Sequence, residues 1–447
     1  MSQTRLTDAL ALAAARARAV RVLFAGVAVG STGYIAASTV SAVVATDLAG
    51  TSTLAGLPAA AVVLGSALGA AWLSAVMARR GRRVGLVLGY AVGTVGALVA
   101  LGAVLARLFP VFLAGTLLLG IANSANQLSR YAAADMVPAE RRATTLSRVV
   151  WAATIGGVLG PTLGTLAGRL LSGSEVPQLA GVYVVTLVLV AAAAVVAWAF
   201  LRPDPSELAW VPTPSPAASP SSAASPSPAA IGSAPAESAV DAPRYPTASV
   251  RALLRRPSVS AAIVALVAGQ AVMTLIMTMT SVHMTQHGHD IGAVGLVISG
   301  HVFGMYALSP LSGRLTDRLG PMPVILMGLS LSALSALVAA TAPPDGGVQL
   351  FLALFLLGYG WNLGFVAGST LLSSGLATAE RTRIQGVADA LIWGSAAAAS
   401  LGSGVVQAVA GFTALCLLGL ALAATPALIL AARRRAATEA MRGTLPA

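Results

Sequence analysis

Apolar runs of about 20 residues recur along the chain, separated by short segments rich in arginine, glycine, proline and small polar residues. They fall at about 22–46, 54–77, 84–106, 108–130, 149–168, 179–201, 259–282, 291–311, 322–341, 348–374, 384–409 and 412–432. A helix of about 20 residues crosses a hydrocarbon core of about 30 Å, so each run suits one span. Ala390–Ala432 has no charge and is too long for one span, and the run divides at Gly411. The pattern predicts an all-α membrane protein with twelve transmembrane helices.

Composition agrees. Of 447 residues, 57% are hydrophobic and 9% charged, against about 25% charged in soluble domains. A water-soluble enzyme is excluded. No P-loop, Ser/His/Asp set or zinc spacing occurs, so no enzyme activity and no cofactor are expected. The single cysteine, Cys416, lies in an apolar run and founds no disulfide framework. The net charge is +12, with arginine and no lysine. In a soluble chain that excess would suggest nucleic acid. Here the arginines cluster between spans, so the lipid bilayer is the expected partner and nucleic acid is not.

Arginine placement sets the orientation. Clusters occur in the N-terminal tail (Arg5, Arg16, Arg18), after span 2 (Arg79, Arg80, Arg82, Arg83) and after span 4 (Arg141, Arg142). Others follow span 8 (Arg314, Arg318), span 10 (Arg381, Arg383) and span 12 (Arg433–Arg435). The opposite loops carry only Arg107 and Arg169. Both termini are therefore expected to be cytoplasmic, in a multi-pass protein of the cytoplasmic membrane. Residues 203–247 are dominated by Pro, Ser and Ala and cannot bury a core. The expected organisation is an N-terminal six-helix bundle (1–202), a disordered cytoplasmic linker (203–257) and a C-terminal six-helix bundle (258–447).

The halves echo each other. Arg79-Arg-Gly81-Arg-Arg83 and Asp317-Arg318-Leu-Gly320 follow spans 2 and 8, with their glycines 239 residues apart. Ala139-Glu140-Arg141 and Ala379-Glu380-Arg381 follow spans 4 and 10, offset by 240. Two pseudo-symmetric bundles imply alternating access about a site near the midplane. The segment Gly313-Arg-Leu315-Thr-Asp317-Arg318-Leu-Gly320 resembles the cytoplasmic loop motif of the major facilitator superfamily. The resemblance implies a latch, with Gly313, Asp317, Arg318 and Gly320 in gating roles. In the first-half copy Ser74 and Ala78 stand where the glycine and aspartate would be, so its latch is expected to be weaker. Gly156-x-x-x-Gly160-Pro161-x-x-Gly164 resembles an antiporter motif, with Thr165 in place of its last glycine; close helix packing is the favoured reading. The arginine of proton-coupled drug exporters falls at Thr116.

All four histidines (His283, His287, His289, His301) and five of the eleven methionines lie within residues 273–305. Met273/Met277 and His301/Met305 are i, i+4 pairs, each on one helix face. By helical rise, Met273 and His301 both lie roughly 15 Å from the same end of their spans. Thioether and imidazole suit Cu(I); plain packing is the alternative. The two pairs, His287-Gly-His289-Asp290 and Gly360-Trp361-Asn362 resemble the copper-importer branch of the superfamily, to which riboflavin transporters are related. That resemblance implies copper as substrate, with Met273, Met277, His301 and Met305 as its ligands.

Asp389 lies well inside span 11 and is expected to gate through Arg148 or the 79–83 cluster. Asn126, Gln127, Gln270, Trp361 and Asn362 are expected to line a substrate cavity, and Arg130 to anchor the inner end of span 4. The sequence thus predicts a secondary transporter of a small solute or metal ion, with no obligate protein partner. Copper uptake is the leading substrate; riboflavin-like uptake or drug and metabolite efflux are the alternatives.

Overall fold

The computed structural model describes residues 3–51, 54, 56–171, 178–210, 249–289, 291–343 and 346–443. The described residues form α1 (Gln3–Ala49), α2 (Leu57–Arg80), α3 (Arg82–Ala106), α4 (Phe109–Asp135), α5 (Arg142–Leu171) and α6 (Gln178–Phe200). After the short α7 (Val250–Leu254) come α8 (Pro257–Gln286), α9 (Ile291–Tyr306), α10 (Ser309–Leu319), α11 (Pro321–Ala340), α12 (Gly347–Leu372) and α13 (Thr378–Gly443). Among the described residues, eleven helical segments are long and apolar enough to cross a membrane. The last, Ala379–Arg434, contains Gly411 at φ 81 and ψ 175, outside the helical region, and so provides two spans. Only glycine takes that φ without strain, and the division expected at Gly411 is where the chain breaks. Twelve spans result.

Span 8 consists of α9 and α10, with the helix interrupted between Tyr306 and Ser309. Pro310 has no N–H to continue the ladder and crowds the carbonyl four residues earlier. Asn362 of α12 repairs the break: its Nδ2 donates to Met305 O and Ser309 Oγ, both at 2.6 Å, while Ser312 donates to its Oδ1. Asn362 is fully buried behind the cavity, contrary to its expected place in the lining. An unpaired carbonyl in an apolar core costs roughly 1–3 kcal/mol. We expect Asn362→Leu to lower the thermal unfolding midpoint while changing solute affinity little, as read by unfolding and binding on the same preparation.

The halves pack internally through α3 on α4 and α1 on α5 and α6 in the first, and α11 on α12 and α8 on α13 in the second. They meet through α2 on α13 and α5 on α10. Residues 203–210, expected to belong to the disordered linker, are docked. Asp204 caps α3, its carboxylate accepting N–H bonds from Arg82 (3.1 Å) and Arg83 (3.0 Å). Trp210 N donates to Asp135 O at 2.8 Å, and Arg16 Nε donates to Leu208 O at 2.9 Å. The Pro/Ser/Ala-rich stretch 211–248, the core of that expected linker, lies outside the described residues.

A gated cavity between the halves

At the arginine-rich end the halves are held by buried and half-buried polar contacts. The Asp317 carboxylate accepts N–H bonds from Ala143 (3.0 Å) and Thr144 (2.9 Å) at the start of α5. Helix-start N–H groups have no intrahelical partner and attract negative charge, so this joint is strong. Gly313 lies so close to α5 that a Cβ would collide with Ser147 Oγ. In the first half Ser74 replaces that glycine, and Gly386 faces it; a Cβ on Gly386 would collide with the Ser74 side chain. Both pairs are related by the 239-residue offset of the repeat. The close approach is kept in spite of Ser74, because the glycine stands on the facing helix instead.

Ala78 does lack the carboxylate, and Asp135 supplies one instead. Its Oδ2 pairs with Arg82 at 2.6 Å and its Oδ1 with Arg381, from the other half, at 2.8 Å. Arg82 also donates to Gln385 Oε1 at 2.6 Å, and Arg142 donates to Ser373 O at 2.9 Å. Both halves therefore carry a closed joint. Gly320 ends α10 at φ 81, as Gly81 ends α2 at φ 92, while Arg318 is exposed beside it. Valine at Gly313 or Gly386 would hold the halves apart; we expect each variant to reduce uptake at least about tenfold at equal membrane content, measured as initial rates.

A cavity of about 930 Å³ lies between the halves. Arg130 of α4 and Asp389 of α13 form its floor, joined at 2.6 Å, each side chain only 2% exposed. Arg130 also donates to Tyr131 (3.0 Å) and Ser369 (3.2 Å), and its guanidinium lies 4.2 Å from the Tyr131 and Phe365 ring centres. Arg130 is thus the central cross-half contact rather than an anchor. It also replaces Arg148 and the 79–83 cluster as the partner of Asp389. From this floor the cavity reaches Ser38 and Thr39 of α1 and Ser400 of α13, toward the end opposite the arginine clusters. The arginine-rich end is closed and the cavity extends away from it.

The walls are largely apolar, with an aromatic series on one side. Trp361 stacks on Phe365 with ring centres 4.5 Å apart and meets Tyr306 edge-on at 6.0 Å. Trp361 Nε1–H donates to Gln270 Oε1 at 2.9 Å, which fixes the indole plane. Gln127, Gln270 and Trp361 line the cavity as expected. Asn126 sits instead in a side pocket of about 90 Å³ and accepts from Tyr90 at 2.8 Å. Arg130, Tyr34, Tyr306 and Phe365 are lining residues that sequence reasoning missed. A charge within a span was the available signal for Arg130; for the aromatics none separates cavity from packing.

Met273, Met277 and Met305 border the cavity, but His301 does not. It is fully buried, its Nδ1 at 2.8 Å from Leu354 O. The i, i+4 spacing implied one face for His301 and Met305, yet the close approach of Gly358 to the His301 backbone covers the imidazole with α12. His283 stacks on Phe412 at 4.1 Å, and His287 Nδ1 lies 2.8 Å from His283 O. Asp290 lies outside the described residues. Among those described, no three His, Cys, Asp or Glu side chains are grouped to hold a metal.

Two six-helix bundles closing a solute-sized cavity at one end define a membrane carrier, not an enzyme. The Major Facilitator Superfamily profile matches residues 22–401 and 261–442, and the chain belongs to that family. Among curated relatives, the MFS-type transporter YdeG of Bacillus subtilis is 35% identical over 391 residues, 87% of this chain and 86% of its own length. The riboflavin transporter RfnT of Brucella anthropi is 28% identical over 354 residues, 78% of each chain. Among solved structures, the human organic anion transporter MFSD10 superposes with TM-score 0.70 at 17% identity, covering 93% of this chain and 99% of that one. A bacterial homologue of ferroportin in an outward-facing state gives TM-score 0.65 at 15% identity, covering 92% and 98%. These two matches speak to the fold.

Proposed function

We propose that this transporter takes up a flat, conjugated organic solute of the riboflavin kind through the cavity above Arg130 and Asp389. The carrying observation is the Tyr306–Trp361–Phe365–Arg130 series along one wall. Such a wall offers a π-face and a cation to a planar ring bearing polar groups. Asp389 Oδ2 and Thr154 Oγ1 are buried without a hydrogen-bond partner in residues that line the cavity, so its wall holds unused bonding capacity. The volume matches pockets for organic ligands, about 300–1,000 Å³. A bare cuprous ion held by two to four donors needs a far tighter cage. The RfnT relative supports the same class.

Copper remains the second reading, because three thioethers face the cavity. The two are separated by measuring riboflavin and copper uptake in parallel, in cells with and without the protein. Riboflavin is expected to accumulate, and Met273→Leu to leave that accumulation intact. Copper accumulation abolished by Met273→Leu would overturn the organic-solute reading.

In our reading the arginine-rich end is cytoplasmic, both termini lie there, and residues 211–248 link the bundles on that side. An impermeant thiol reagent should then label Ser225→Cys only after cells are opened. Labelling of intact cells would reverse the orientation.

A further inference from the structure

A second large concavity lies outside the transport path. It measures about 850 Å³ and runs along the outer surface between α2, α3 and α6. Arg79, Arg80, Arg83 and Arg202 rim it, and no acidic residue is among its lining. All four lie within one turn of a helix end: α2 ends at Arg80, α3 begins at Arg82 and α6 ends at Phe200. That is the level of lipid headgroups. Asp204, two residues after Arg202, is engaged by the Arg82, Arg83 and Ser206 N–H groups. Below the rim the walls are apolar, including Val87 and Leu88 of α3, with Trp72 and Trp198 on either side. From Arg83 to Ala91 the groove descends about 12 Å along α3.

Two contacts place arginines on the α6 side of the groove. Arg83 donates to Trp198 O at 2.6 Å, and the Arg202 guanidinium lies 5.6 Å from the Trp198 ring centre. Arg83 bridges from α3 to α6, Arg202 folds back on the end of α6, and Arg79 and Arg80 stay exposed on the opposite rim. Trp72 is 44% and Trp198 57% exposed, so the apolar walls face lipid. A cationic rim one turn above an apolar channel matches an amphiphile with an anionic head. We infer that this groove binds an anionic phospholipid, its phosphate among Arg79, Arg80, Arg83 and Arg202 and one acyl chain against Val87 and Leu88. Arg79 and Arg80 make no contact in the buried Arg82–Asp135–Arg381 joint, so the site is separable from gating.

The test is native mass spectrometry of the delipidated full chain, titrated with phosphatidylglycerol or phosphatidylcholine of identical acyl chains. Wild type is expected to bind phosphatidylglycerol at least about thirtyfold more tightly. The Arg79→Gln/Arg80→Gln variant should lose about thirtyfold in phosphatidylglycerol affinity while binding phosphatidylcholine unchanged. Leu88→Trp keeps every arginine but fills the apolar wall, and should also remove the preference. Inorganic phosphate at millimolar concentration should not displace the lipid. Equal affinity for the two lipids, full preference in Leu88→Trp, or displacement by phosphate would each overturn the assignment.

Discussion

Replacing Arg130 with alanine should abolish transport, reducing initial uptake at least about a hundredfold at equal membrane content. The guanidinium is the one group that joins α4 to Asp389 of α13 and Ser369 of α12 while facing the cavity. Its removal leaves the Asp389 carboxylate buried and unpaired, which costs about 3–5 kcal/mol. Lysine keeps the charge but loses the planar fork that reaches Asp389, Tyr131 and Ser369 together, and should fail nearly as badly. Asp389→Asn is milder for folding, because a neutral amide can still accept from Arg130, yet it removes the cavity's carboxylate. It should fold normally and transport poorly. Arg130→Ala carrying solute at more than half the wild-type rate would remove this pair from the mechanism.

Asp135→Ala should have the next largest effect. One carboxylate holds Arg82 from its own half and Arg381 from the other, at 2.6 and 2.8 Å. Without it two arginines converge unpaired at a closed joint. Their repulsion opens the arginine-rich end, so the carrier should rest with its cavity facing the wrong side. Uptake should fall at least about thirtyfold. Asp317→Asn, which weakens a helix cap between the halves, should lose several-fold. Arg79→Ala, outside both joints, should change uptake little. Initial rates across the four proteins establish the order, and equal losses for Asp135→Ala and Arg79→Ala would contradict it.

Much of this architecture was readable from residue order. The spans follow from the length of apolar runs, and the repeat from two short motifs at nearly the same offset. The Gly411 break follows because an uncharged stretch cannot cross twice without turning. What stayed hidden depends on facing residues rather than spacing. Ser74 looked like a lost glycine, because the compensating Gly386 lies more than 300 positions away in the chain. Asn362 looked like a cavity polar group, because the carbonyl it rescues is exposed only by the break before Pro310. Asp204 was submerged in a Pro/Ser/Ala-rich composition, although two free N–H groups at the start of α3 require such a cap.

The methionine and histidine window is the clearest case of spacing outrunning geometry. Residues at i, i+4 share a face only to within about 40°, and on α9 that margin separates the cavity from the α12 contact. Met305 stays on the cavity side, while His301 is covered at Leu354. The thioethers then read as polarizable wall surface, suited to an aromatic solute as much as to a soft ion.

The two halves are expected to close on each other at the arginine-rich end and to part there during the cycle. The direct measurement is the distance between spin labels at Arg141→Cys and Arg383→Cys, with Cys416 replaced by alanine. Both positions are exposed, one on each half, and neither side chain belongs to the buried joints. Wild type should show one short-distance population, and Asp135→Asn should add a second, longer one. A single distance unchanged by Asp135→Asn would contradict the gate and, with it, the alternating movement of the halves.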